Sequence, residues 1–119
     1  MDRKTFIRQV RAKYGTAPDF PWEKYPDYAT FRHPDNRKWF CLLMPLPSGM
    51  PEEHGDGHRI IDVINVKVQP ESVAALQAEP GIFPAWYMNK KHWVSVVLAD
   101  VPEKRIWQLV DDSHRLTAG

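Results

Sequence analysis

The chain has 119 residues, 43% hydrophobic and 26% charged, enough for one domain (1–119) whose core needs no metal or disulfide support. Sixteen Lys and Arg against 15 Asp and Glu leave a formal charge of +1, so the marked basic excess of proteins that grip duplex DNA by its phosphates is absent. The single cysteine, Cys41, excludes an internal disulfide and a Cys-x-x-Cys zinc pair, and it reads as a small buried hydrophobe.

Residues 2–14 predict an amphipathic helix. Phe6, Ile7, Val10 and Tyr14 share one face, Lys4, Arg8 and Arg11 another, with Asp2 as N-cap and Gly15 as stop. Residues 16–27 carry Pro18, Pro21 and Pro26 interleaved with Phe20, Trp22 and Tyr25; each proline withdraws a donor, so this is a connection whose rings cover an edge or end of the core. Tyr28 to His33 predicts a short strand, 34–37 a turn, and Trp39 to Met44 a second strand closing a hairpin. From Pro45 to His58 nothing is periodic and Gly and Pro dominate, which predicts a long mobile loop.

Residues 59–68 predict the next strand, with Ile64, Val66 and Val68 on one face and Asn65 and Lys67 on the other. Pro70-Glu71 opens a short helix through about Ala78, with Val73 and Leu76 inward and Pro80-Gly81 closing it. Residues 92–98 form the last strong strand, Val94, Val96 and Leu98 facing one way and Trp93, Ser95 and Val97 the other. Asp100 with Glu103 reads as a capping box for a final helix, whose inward stripe is Ile106, Leu109, Val110 and Ser113 and which ends near Arg115. Helix, two or three strands, helix, strand, helix is the order of an α+β domain: a mostly antiparallel sheet covered by helices on one face.

The stretch Pro84-Ala85-Trp86-Tyr87-Met88-Asn89-Lys90-Lys91-His92-Trp93 joins a cationic, aromatic cluster to that last strand. It resembles the Pro-Ala-x-x-Leu-Asn-Lys-x-His-Trp signature of the MmcQ/YjbR proteins, with Tyr87-Met88 where the family usually shows His-Leu. Tyr28 to Met44 resembles the family's first hairpin, Ile64-Asn65-Val66-Lys67 its next strand, and Leu109-Val110-Asp111-Asp112-Ser113 its closing helix. The resemblance implies a frataxin-like (CyaY-like) two-layer sandwich with terminal helices packed on one face. It also implies a DNA-binding or regulatory role, the description this family often carries.

Three clusters are candidate sites. In the first, Lys90 and Lys91 contact phosphates, Asn89 reads a base edge, and Trp86 or Tyr87 stacks on a base, with His92 and Trp93 beside them. The structural alternative makes Asn89 a turn cap and Trp93 a lid on the core. The second cluster adds Lys4, Arg8 and Arg11, which form a basic stripe only if the first helix lies near the mouth of the last strand; otherwise they are solvated charges. The third, His54-Gly55-Asp56-Gly57-His58 with Glu52 and Glu53, has a His-x-x-x-His spacing. Its glycines remove the helical geometry that spacing needs, so no metal is expected.

Catalytic and cofactor motifs are absent: no Gly-x-Ser-x-Gly elbow, no phosphate-binding glycine loop, no deaminase signature. Asp111, Asp112, Ser113 and His114 mimic a triad in sequence, but helix neighbours point about 100° apart. They read as surface charge, with a His114 cation near the helix C-terminus. No apolar run approaches the ~18 residues of a membrane span and Met-Asp-Arg-Lys is no signal core, so a cytoplasmic protein is expected. The expected partner is DNA. The alternative is a non-catalytic module that binds a protein or small ligand through a groove of Trp22, Tyr25, Trp86 and Tyr87.

Overall fold

The computed structural model describes residues 1–47 and 59–119. Helix α1 spans Arg3–Tyr14; the Asp2 side chain accepts from the Thr5 N–H, and Gly15 closes the helix in the left-handed region at φ 66°. Strands follow at β1 Ala29–Arg32, β2 Trp39–Pro47 and β3 Ile60–Lys67, then a 3-10 turn over Pro70–Ser72 running into α2, Val73–Gln77. Strand β4 is Ile82–Pro84, β5 is Trp93–Val97, and helix α3 is Glu103–Thr117. The five strands form one antiparallel sheet in the order β1-β2-β3-β5-β4. The α+β class with helices on one face is therefore as the residue pattern requires.

Period-two alternation sends the sheet's side chains into two separate apolar layers. On the helical side, Phe31, Cys41, Leu43, Ile64, Val66, Val94 and Val96 meet Phe6 and Val10 of α1, Leu76 of α2 and Ile106, Trp107, Leu109 and Val110 of α3. Phe6 is the hinge of this layer, stacked on Trp107 at 5.2 Å and edge-on to Phe31 at 5.9 Å. Ser113 docks α3 on the sheet: its Oγ donates to the Phe40 carbonyl at 2.6 Å and accepts the Lys67 N–H at 2.8 Å. On the other side no helix lies among the described residues. Leu42, Met44, Leu46, Ile61, Val63 and Val97 are covered instead by Trp22, Tyr28, Phe83, Trp86 and Met88 from strand ends and connections.

Four local expectations need correction. Pro45, Leu46 and Pro47 belong to β2, not to a loop, and pair with Asp62, Ile61 and Ile60. The prolines are tolerated because β1 pairs β2 only as far as Leu43, leaving the outer side of this stretch without a strand among the described residues. Residues 48–58, with His54 and His58, lie outside the described residues. The Asp100–Glu103 capping box does not form: Pro102 is the N-cap residue of α3 and no side chain caps it, since extended Pro102 (ψ 142°) starts the helix later. Strand β4 is an addition, added to β5 as an edge through Ile82↔Val96 and Pro84↔Val94. The final helix runs to Thr117, past Arg115.

No helix among the described residues is long and apolar enough to cross a membrane.

Candidate functional site

An open groove of about 370 Å³ lies on the helix-free side of the sheet. Leu42 and Met44 of β2 form its floor, with Trp39 at the start of that strand. Trp22, Tyr25 and Tyr28, from the proline-rich connection between α1 and β1, make one wall; Tyr87 and Met88, from the β4–β5 connection, make the other. Tyr25 and Tyr87 stand out of the protein, 47% and 64% exposed.

Both walls are fixed by hydrogen bonds, one through the backbone and one through buried side chains. Asp19 exchanges two backbone bonds with Thr30, tying the connection to the free edge of β1. The opposite wall hangs from a buried polar clamp. Asn65 of β3 and Ser95 of β5 are cross-strand partners on the groove side, and the Ser95 hydroxyl donates to the Asn65 carboxamide oxygen at 2.5 Å. Between them they hold both polar groups of one peptide residue: the Asn65 amide donates to the Trp86 carbonyl at 2.7 Å, and the Ser95 hydroxyl accepts the Trp86 N–H at 2.9 Å. Buried polar groups satisfied this completely specify one conformation. The next residue, Tyr87, is held at φ 66°, a left-handed conformation that a bulky side chain adopts only when its surroundings impose it.

The groove's rings meet at mixed angles, two pairs near perpendicular, one stacked and one tilted. Trp22 meets Trp39 at 5.6 Å and 77°, and Tyr28 at 6.3 Å and 81°; Tyr25 stacks on Tyr28 at 4.8 Å, and Tyr28 and Tyr87 lie 6.3 Å apart. Burial, then the Tyr87 phenol, its hydrogen bond to Tyr28, and Tyr25 push the Tyr28 hydroxyl up to about 12. The Arg32 guanidinium lies 5.6 Å from the centroid of Trp39 and is paired with Asp19 at 3.3 Å.

The signature stretch divides by role. Trp86 packs beneath the groove against the second apolar layer; Tyr87 and Met88 line it. Asn89 is a turn cap: its side-chain oxygen accepts the Lys91 N–H at 2.8 Å, and its carbonyl accepts from His92 and Trp93. Lys90, Lys91 and His92 are exposed on that turn. Trp93 is half-buried and belongs to neither apolar layer, so it is not the lid on the core considered above. Lys4, Arg8 and Arg11 flank Ile7 on the outer surface of α1, in the helical layer. Trp86, Tyr87 and Met88 lie on the opposite side of the sheet, so these three residues and the first helix belong to different layers.

A second cluster gathers at the far end of the two long helices. His114 stacks on Tyr14 at 4.6 Å, lies edge-on to Phe40 at 4.8 Å and meets His33 at 4.2 Å. The Tyr14 hydroxyl donates to Asp111. Thr117 Oγ1 lies 2.8 Å from both His33 Nε2 and the Ser113 carbonyl, tying the β1 end to the last turn of α3. Burial, with His33 beside it, lowers the His114 pKa against the opposing pull of Asp111 and Asp35. The expected surface cation at His114 is thus corrected to a half-buried ring that favours its neutral form. No group of three or more His, Cys, Asp or Glu placed to hold a metal occurs among the described residues.

Comparison with known proteins gives this geometry its relatives. The YjbR family profile matches residues 11–116. The chain belongs to the YjbR family. It is 44% identical to the uncharacterized protein YyaQ of Bacillus subtilis (strain 168) over 119 residues, 98% of each chain, and 38% identical to the uncharacterized protein YbdF of Escherichia coli O157:H7 over 60 residues, 49% of each. A crystal structure of a Pseudomonas syringae protein superposes with a TM-score of 0.91 at 50% identity, covering 99% of this chain and 100% of that one. The Deinococcus radiodurans protein DR2400, described as a DUF419 domain, shares the fold at TM-score 0.70 and 22% identity, over 98% of this chain and 78% of its own. The signature at 84–93 agrees with that membership, and in this structure it builds one wall of the groove.

Proposed function

We propose that this YjbR-family chain is a non-catalytic binding module whose aromatic groove seats the apolar part of a ligand. The observation that carries the reading is the Asn65–Ser95 clamp on Trp86, which holds exposed Tyr87 in a left-handed conformation above an open groove. A strained, outward-facing ring supported by a buried polar network is the arrangement of a preorganised contact, since packing alone does not require it. The groove's size sits within the range of small-ligand sites, and aromatic residues dominate such sites. Among the described residues its lining holds Trp, Tyr, Leu and Met, with no carboxylate, histidine or thiol to act as acid, base or nucleophile. That supports binding without chemistry.

The test is a titration with tert-butyl alcohol, a compact apolar probe, followed by two-dimensional NMR of the tryptophan side-chain and backbone N–H groups. Shifts confined to Trp22, Trp39 and residues 86–88 are expected, and they should vanish in Tyr87→Ala. Shifts that ignore these residues defeat the reading.

A second reading, DNA contact through the cationic surface, is favoured by one observation. Lys4, Arg8 and Arg11 crowd the outer face of α1, exposed and in no ion pair among the described residues. Lys90 and Lys91 are exposed likewise. Binding of this type weakens steeply with salt. Electrophoretic shift of a short duplex at low salt should fall in Lys4→Ala/Arg8→Ala and in Lys90→Ala/Lys91→Ala; no shift of the unaltered protein at low salt removes this reading.

A further inference from the structure

Resting on the groove as the binding site, we propose that its occupant is a small molecule bearing a methylated ammonium group. Three features of the groove distinguish a soft organic cation from a flat neutral ring or an anion. First, the rings are all Trp and Tyr, the electron-rich types, while Phe6, Phe31 and Phe40 are buried in the helical layer. Ring faces carry the negative end of the aromatic quadrupole and attract cations. Second, Trp22 meets Trp39 and Tyr28 at 77° and 81°. Rings at right angles make the sides of a box. A flat ligand needs parallel faces, whereas a tetrahedral trimethylammonium fills a box. Third, no charged side chain lines the groove among the described residues. An anion finds no partner there, and a primary ammonium finds no carboxylate to replace its water. A methylated ammonium is weakly hydrated and gives up little on entry.

The groove's own electrostatics agree. Burial and its phenol neighbours hold the Tyr28 hydroxyl up to about 12, so the groove presents a neutral, electron-rich phenol ring. One ring already engages a cation: Arg32 lies over Trp39, its charge balanced by Asp19. The volume, about 370 Å³, is at the small end of ligand sites and fits a free small molecule better than the side chain and backbone of a protein partner.

The experiment compares four probes by calorimetric and NMR titration of the full chain: choline, its neutral tert-butyl analogue in which carbon replaces the ammonium nitrogen, indole, and a short peptide carrying trimethyl-lysine. Choline should bind about tenfold more tightly than the tert-butyl analogue, the discrimination expected of a cation over several ring faces. Tyr87→Leu keeps apolar bulk at an exposed position, so it leaves the fold intact. It should weaken choline several-fold while barely moving the analogue. Equal or tighter binding of the analogue, or binding of indole alone, overturns the cation and leaves the groove as a binding site. Tighter binding of the peptide than of choline overturns the small-molecule source. Binding of none of the four overturns both the cation and the groove.

Discussion

The two sides of one sheet are finished in opposite ways. The helical side is sealed by aliphatic side chains and phenylalanines, with Phe6, Val10, Ile106 and Val110 wholly buried against the strands. The other side is closed by connections and by Phe83 of β4, and its cover is mostly Trp, Tyr and Met, with Tyr25 and Tyr87 largely exposed beside it. Aliphatic groups between helix and strand gain from burial and little else; rings with polar tips can be buried on one face and meet a partner with the other. One side therefore holds the fold, and the other is shaped by it.

That division breaks first where burial is deepest. Leu43→Ala, in the helical layer and fully buried, is expected to cost about 2–5 kcal/mol in denaturant unfolding. A cost under ~1 kcal/mol contradicts the role given to this side. Next comes the clamp. Asn65→Ala orphans the Trp86 carbonyl and takes the acceptor from Ser95, at about 1–3 kcal/mol for each group left unpaired. Its spectral signature should be loss of order at 86–88, visible as faster amide exchange there than in β2. Uniform change across the sheet would show that Asn65 serves the sheet and not the groove wall. Gly81→Ala is expected at a similar level, because at φ 85° the added Cβ meets Val101 Cγ2 at 2.7 Å. It should act on the β4 edge and, through Val101 and Ile82, on the margin of the helical layer, while sparing the groove wall at 86–88.

The helical side was legible in the residues and the groove only in part. Helix α1 announces itself by Asp2, by Phe6 and Val10 one turn apart, and by Gly15. Each of these signals is local, and each is realised. The inward stripe of α3 is local in the same sense, and its odd member, Ser113, proves to be the residue that bonds β2 and β3. Strand β4 was invisible, because three residues after Pro80-Gly81 show no alternation, and only β5 makes Ile82–Pro84 a strand. Of the four aromatics the sequence assigns to a groove, Trp22, Tyr25 and Tyr87 line it and Trp86 does not, while Tyr28, Trp39, Leu42 and Met44 read as strand positions with no assigned side. Asn65 looked like an ordinary outward polar residue. Its pairing with Ser95, 30 positions away, is a property of the register, which no window of sequence contains. The same limit hid His114, whose neighbours Tyr14, His33 and Phe40 come from α1, the β1 end and β2.

A smaller effect sharpens the contrast at Tyr87. Glycine adopts φ 66° without strain, so Tyr87→Gly should leave unfolding free energy within ~1 kcal/mol of the starting protein, or raise it, while abolishing groove binding. Stability gained with binding lost is the mark of a residue kept for contact. Loss of more than ~1 kcal/mol would instead make the ring part of the fold.

The smallest expected effect separates the two sides by pH. His114 binds its proton less readily in the folded chain than in the unfolded one, because it is half-buried and has His33 at 4.2 Å. Where pH falls below the ordinary histidine value, the unfolded state takes up a proton that the folded state resists, so stability declines with falling pH and is fully present above about 6.5. The facing carboxylates, Asp111 and Asp35, oppose the shift and limit its size. His114→Phe keeps the ring contacts with Tyr14 and Phe40 and removes the titration, so its denaturant midpoint should be flatter than the parent's between pH 7.5 and 5, on the order of the window set by that value. Groove binding should not follow this curve, since Trp and Met do not titrate and Tyr28 is held near 12. If binding and stability fell together through that window, the two sides of the sheet would have to be coupled through the strands they share, and the division of labour argued from their side chains would be wrong.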